Sequence, residues 1–223
     1  VRSIPFLLFI DDFGVHRNMY KALKAFYLTP AGLTYRERRY LDNSFTLTLG
    51  PHGAKMEDSI QAFKKEIWTL SQGFYAYLYG VRTVITASII AFTGDMPQQA
   101  KNSGAQSYSA EFGCRTCYCP KNSRHDLKFD SLLCGRYHFE IKSFRKYAES
   151  LSSPAKQIQF LSSKGLLPHP SPLELLAPSL DLVLSRPYDI PHSDWKGLGL
   201  RLQSFMLRIL NPQGTKKYSA ALR

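Results

Sequence analysis

Asp11 and Asp12 close the apolar run IPFLLFIDDFG, and Asp95 closes a second, TASIIAFTGDMPQQ. Each run is short, continuous and rich in residues suited to an interior strand. Carboxylates delivered at the ends of two such strands suit one chemistry well. Phosphodiester cleavage needs acids aimed together from a rigid sheet, holding two divalent ions about 3.5–4 Å apart. Mg²⁺ favours a few carboxylates and completes its octahedron with water. Asp11, or Asp12, from one strand and Asp95 from another would supply the acids. If Phe9 faces the core, Asp11 shares its face and Asp12 points away, which favours Asp11. The competing reading is turn chemistry, since DDFG and GDMP both look like turns.

A second group lies in CRTCYCPKNSRHDLKFDSLLCGRYH, which contains Cys114, Cys117, Cys119, His125, Cys134 and His138. A tight Cys-x2-Cys lets two thiolates grip one tetrahedral Zn²⁺, with a second pair arriving from elsewhere. Cys134 and His138, three residues between them, are candidates for that pair. A structural zinc would order a loop-rich insertion too small to make its own core. The alternative is a set of reduced structural thiols.

A third candidate is RPYDIPHSDWKGLGLRL, where Asp189 and His192 are three apart and share a face if helical. Asp189 as a helix cap with Pro191 in the first turn explains the same residues without chemistry. GPHGAKM resembles a phosphate loop but lacks its spacing, so no nucleotide cofactor is expected. His16 and His52 read as polar surface or turn residues. Arg36, Arg38, Arg39, Lys64 and Lys65 could follow a phosphate backbone.

The elements that position these groups follow from periodicity. Residues 4–11 read as a central strand, and 44–53 as a half-buried strand alternating Phe45, Leu47 and Leu49 with polar residues. YKALKAFYLTP (20–30) fits either a helix or a strand ending at Pro30. From Lys55, the recurrence of Met56, Ile60, Phe63, Ile67 and Leu70 predicts an amphipathic helix ending near Gly73. Residues 81–92 are β-branched and apolar, a buried strand. The remainder beyond 140 reads as helical with Pro-rich breaks, its last element placing Trp195, Leu198, Leu202, Phe205 and Ile209 on one face. Gly197 and Gly199 weaken the start of that helix.

The 223 residues and 44% hydrophobic content allow one sizeable core with an inserted or appended subdomain. A net charge of +12 favours a polyanionic partner, with nucleic acid ahead of anionic membrane. No apolar run approaches the roughly 18–20 residues of a membrane span, and no signal peptide is evident. The start at Val1 suggests a piece of something longer.

FLLFIDDFGVHRNMYKALKAFYLTPAGL, FTLTLGPHGAKMEDSI, AFTGDMPQQAKNSG and GCRTCYCPKN together resemble the transposases of CACTA-type (En/Spm-like) DNA transposons in their fungal version. Plant members carry a related DGFNPF in place of DDFG and NDFPAYG in place of GDMPQQA. The resemblance runs, with gaps, over nearly the whole chain. It implies an α/β fold, the ribonuclease-H-like mixed sheet of the DDE transposase core. It also implies a zinc-knuckle insertion and a helical C-terminal part. The family's order of three strands, a helix and a fourth strand makes 20–30 a strand. The expected divisions are 1–100 for the core, 101–140 for the Cys/His insertion and 141–223 for the helical segment.

By position, Asp11 matches the family's first catalytic acid, with Asp12 a close alternative, and Asp95 the second. Mg²⁺ or Mn²⁺ is the implied cofactor, and double-stranded DNA at transposon ends the implied partner. The nucleus is the implied location, with a possible homo-oligomer in the full-length protein. Cys114, Cys117 and His138 match the zinc positions; Cys119, Cys134 or His125 would complete the set. Asp189 and His192 match an Asp-x-x-His that precedes a helix returning toward the active site.

One part of the pattern is missing. The family's third acid is a glutamate downstream of the Asp-x-x-His, yet no Glu or Asp follows Asp194; Glu149 and Glu174 precede the motif. NSGAQSYSAEFGC also departs from the basic, asparagine-rich lead-in of the family. The expectation is a truncated or decayed copy with very low turnover. The rival is a DNA-binding or zinc-binding remnant without catalysis.

Overall fold

The computed structural model of the chain describes residues 1–14, 22–176 and 180–222; His16 lies outside them. The described chain forms two compact units, Val1–Pro187 and Tyr188–Arg223.

The first unit is mixed α/β, built on a five-stranded mixed sheet. β1 (Arg2–Gly14) pairs antiparallel with β2 (Ala22–Pro30), which pairs antiparallel with β3 (Phe45–Gly50). A short helix, α1 (Tyr35–Arg38), lies in the β2–β3 connection, closed by a capping box between Thr34 and Glu37. The long helix α2 (Met56–Gln72) follows, ending at Gly73 as its periodicity predicts. Next come β4 (Phe74–Leu78) and β5 (Val81–Thr93), an antiparallel hairpin turning through Tyr79-Gly80. β5 runs parallel to β1, giving the order β3-β2-β1-β5-β4.

Only one face of the sheet carries the main core. Leu8 and Ile10 of β1, Phe26 and Leu28 of β2, and Ile89 and Phe92 of β5 pack on Ile60, Phe63 and Ile67 of α2. Ile89 and Phe92 are three apart, which a regular strand would place on opposite faces. The ladder accommodates them with a bulge: Phe6 pairs with Ile89, and Leu7 with Ala91. The extra residue, Ile90, restores the inward direction for Phe92. The apolar run is continuous in sequence because of this change of phase.

Beyond the sheet, α3 (Met96–Asn102) starts at Asp95. A loop-rich segment then leads to α4 (His138–Glu149) and α5 (Pro154–Ser163), which share a smaller core of Ile141, Ala148, Leu161, Leu166 and Val183. The short α6 (Leu173–Leu176) adds Leu173 and Leu176 to the main core. Ser185 accepts the backbone N–H of Phe92 at 2.9 Å, satisfying the β5 edge past the reach of β4.

The loop segment is held by arginines. Arg136 is buried and donates to the carbonyls of Cys114 (2.9 Å), Cys117 (3.1 Å), Lys164 (2.7 Å) and Phe112 (2.5 Å). Arg145 donates to Leu167 and Gly104, and Arg186 to Arg115 and Ser103, while the Arg115 guanidinium returns to the Arg186 carbonyl. Guanidinium forks satisfy carbonyls that a loop without regular structure leaves unpaired.

The second unit holds a π-helical segment, Pro191–Gly199, then α7 (Leu200–Ile209) and α8 (Pro212–Ala221). The wider π turns coincide with the two glycines: a Cβ at Gly199 would stand 2.9 Å from the Asp194 carbonyl oxygen. Among the described residues no helix is long and apolar enough to cross a membrane.

Candidate functional site

β1 and β5 lie side by side and parallel, with Phe9 opposite Thr93. Asp11 and Asp95 each follow two residues later, but only Asp95 lies past its strand: β1 continues to Gly14, so Asp11 stays in the ladder opposite Ala25 and the strand end expected at residue 11 is corrected. The close approach depends on Gly94, where any Cβ would stand 2.6 Å from the Ile10 carbonyl oxygen. Gln99 then clamps the turn, donating from Nε2 to the carbonyls of Gly94 (2.8 Å) and Pro187 (3.0 Å).

Asp95 also does structural work. Its Oδ1 accepts the Gln98 N–H at 2.7 Å and caps α3, with Pro97 in the first turn. The turn reading and the acidic-site reading are therefore compatible. One carboxylate oxygen serves the cap.

The face assignment offered by the sequence needs correction. The inward residues of β1 are Leu8 and Ile10, both fully buried, while Phe9 is 38% exposed. Asp12 thus lies on the core face, opposite Lys24, and Asp11 shares the open face with Phe9. Asp12 remains tolerable there because the buried Lys24 ammonium lies 2.5 Å from its Oδ1. Asp11 accepts the backbone N–H of Asp12 through Oδ1 at 2.9 Å. Asp12 is paired with a buried cation on the core face, while Asp11 and Asp95 stand on the neighbouring strands β1 and β5.

Lys24 was not singled out by the sequence. Its signal is its position in ALKAFYLTP, a lone cation in an apolar strand that must find an anion when buried.

Among the cysteines, Cys114 and Cys117 meet, with sulfurs 3.3 Å apart. Burial would raise the Cys114 thiol, but hydrogen bonds from the Thr116 backbone and hydroxyl, and from Cys117, outweigh it and bring it down to about 7. Burial pushes Cys117 and Cys119 up, and neighbouring thiols add to both: Cys114 and Cys119 for Cys117, Cys114 and Cys134 for Cys119. Cys117 also bridges to Gly135, and Tyr118 N–H donates to the Cys134 carbonyl, drawing the strands of the knuckle together.

The His138 ring is engaged elsewhere. Its Nδ1 accepts the Leu182 N–H at 3.4 Å, and its Nε2 is buried without a hydrogen-bond partner. Burial, then Lys142, lower its pKa. Among the described residues no three His, Cys, Asp or Glu side chains converge on one point able to hold a metal. The Cys114–Cys117 pair suits half of a tetrahedral zinc site; the other half is not assembled around it.

Asp189 and His192 form a local pair. Oδ2 of Asp189 is 2.6 Å from His192 Nδ1, and Oδ1 accepts the His192 N–H at 3.3 Å. The carboxylate fixes the ring while capping the turn. His52 is exposed in the loop before α2.

The chain matches no protein-family model and no curated protein.

Proposed function

We propose that the chain is a fragment of a DDE-type DNA transposase with a ribonuclease-H-like core, from an enzyme of DNA strand cleavage and transfer in the nucleus, and that the chain as given has very low turnover. The observation that carries this reading is the parallel pairing of β1 with β5 in the register Phe9–Thr93, with Asp11 two residues on within β1 and Asp95 two residues on beyond the end of β5. The antiparallel run β1-β2-β3, the helix α2 and the parallel return of β5 beside β1 support it as well. The three strands and helix come in the family's order, while β4 intervenes before β5, so the strand beside β1 is the fifth and not the fourth.

When bound, two Mg²⁺ or Mn²⁺ ions supply the activation of water, or of a DNA 3′-hydroxyl, for in-line attack on phosphorus. Asp11 and Asp95 would hold them. Lys24 keeps Asp12 ion-paired on the core face, and Gly94 and Gln99 hold the turn that presents Asp95. The Cys114–Cys117 pair would begin a structural Zn²⁺ site. Cys119 and Cys134 supply the nearest further thiols, and His138 would have to leave Leu182 to join.

A second reading has its own support: among the described residues no three His, Cys, Asp or Glu side chains are gathered where a metal could sit. On that reading the chain is a DNA-binding or zinc-binding remnant without catalysis. A supercoiled-plasmid nicking assay separates the two. Nicking that requires Mg²⁺ or Mn²⁺ and disappears in Asp95→Ala supports the nuclease. A metal-independent gel shift without nicking supports the remnant.

A further inference from the structure

The face of the sheet opposite α2 carries a shallow depression that no part of the strand-end chemistry uses. It is lined by Phe9, Tyr27, Tyr35, Arg38, Arg39 and Thr93, among others, and no acidic side chain lines it among the described residues. Phe9 and Tyr27 pair directly across the β1–β2 ladder, with ring centroids 6.1 Å apart and planes tilted by 39°. Tyr35 stands at the rim, 74% exposed, with the Arg39 guanidinium 6.0 Å from its ring centroid. The acid nearest in sequence, Glu37, is occupied by the backbone and hydroxyl of Thr34. The volume is about 340 Å³ and open to solvent, at the low end of small-molecule pockets of roughly 300–1,000 Å³. The shape suits a ligand laid across the surface rather than enclosed.

We propose that this groove binds single-stranded DNA, with unpaired bases stacking on Tyr35 and on the Phe9–Tyr27 pair and phosphates held by Arg38 and Arg39. Aromatic rings on an open sheet face beside guanidinium groups offer the two contacts that unpaired nucleic acid needs, a stacking platform and a backbone counter-charge. A duplex hides its base faces and would use only the arginines. The two guanidiniums without a lining carboxylate make the groove complementary to a polyanion. Its position gives the direction of the strand: Asp11 follows Phe9 on the same face of β1, about 7 Å farther along. The choice of DNA over RNA rests on the function proposed above.

Fluorescence anisotropy with a labelled oligothymidylate of about a dozen nucleotides tests the groove. EDTA keeps cleavage and divalent-ion bridging out of the measurement. Saturable binding is expected, weakened about fivefold to a hundredfold by Tyr35→Ala and similarly by Phe9→Leu. The combined Arg38→Ala and Arg39→Ala variant should reduce the slope of log K against log salt by about 1.4. Tyr35 is exposed enough for its replacement to leave the thermal melt unchanged, so lost binding there reports on contact and not on folding.

Any of three results overturns the inference. They are oligothymidylate binding indifferent to Tyr35→Ala and Phe9→Leu, a duplex that binds as tightly as the single strand, or binding of oligouridylate but not oligothymidylate. Intact binding in EDTA alongside absent nicking would count against the nuclease and leave the groove standing.

Discussion

Lys24 Nζ lies 2.5 Å from Asp12 Oδ1 across the β1–β2 ladder, the ammonium buried and the carboxylate about one-third exposed. The two ends of this pair are not equivalent. Removing Asp12 strands a buried cation, whereas removing Lys24 strands a carboxylate that can still reach water. Asp12→Asn should therefore cost about 2–4 kcal/mol, and Lys24→Met about 1–2 kcal/mol. The double variant should recover much of the loss. Urea denaturation of the three variants gives the coupling. An Asp12→Asn chain that is as stable as the parent would remove the structural role assigned to this acid.

Asp95 caps α3, and the proposed function gives it a second duty that substitution can separate from the first. Asn caps a helix about as well as Asp, and Ala does not. Asp95→Asn should leave stability within about 0.5 kcal/mol, while Asp95→Ala should lose about 1 kcal/mol. Both should weaken Mn²⁺ binding read by calorimetry and remove whatever divalent-ion-dependent nicking the parent chain shows. Equal Mn²⁺ affinity in parent and Asp95→Asn would confine Asp95 to its capping role.

Most of the sheet was legible for physical reasons that the loops do not share. A buried strand or an amphipathic helix repeats one solvent boundary, so α2 and β5 are written in their periodicity. The bulge at Ile90 is not, because it only shifts phase within a run that is apolar throughout. Nor was β4 foreseen: FYAYL is aromatic on both faces and separated from β5 by a tight turn at Tyr79-Gly80. The face of Asp11 came out the other way because the sequence does not say whether odd or even residues of an all-apolar strand meet α2. The arginine staples were also hidden. Their partners are carbonyls, which every residue has, so no pairing of side-chain types announces them.

Arg136 is the central staple of the loop segment, and its geometry makes a specific demand. Four carbonyls converge on one guanidinium, and Gly165 gives it room, since a Cβ there would stand 2.6 Å from the Arg136 Nη2. An ammonium lacks the fork and the reach for such an arrangement. Arg136→Lys should cost at least about 2 kcal/mol, and Arg136→Met about 3–5 kcal/mol, with carbonyls left unpaired. Hydrogen exchange should rise first in residues 112–119, before the sheet opens. Uniform loss of protection across sheet and loop would show that the staple does not act locally.

Cys114 and Cys117 give a prediction that turns on pH. The Cys114 thiol, brought to about 7 by Thr116 and Cys117 against the effect of burial, is protonated below that point and thiolate above it. Alkylation by iodoacetamide should rise with a midpoint near 7, against about 8.5 for an ordinary cysteine, because the thiolate is the nucleophile. Thr116→Val removes the hydroxyl donor and should move the midpoint upward while leaving the backbone donor in place. Stoichiometric Zn²⁺ should protect Cys114 and Cys117 from alkylation if the pair begins a zinc site. The choice of remaining ligands follows from the same assay. Protection that survives His138→Ala but fails in Cys134→Ser or Cys119→Ser assigns a thiolate set. Loss in His138→Ala requires the ring to give up the Leu182 N–H on binding, and with it the protection of that amide from exchange.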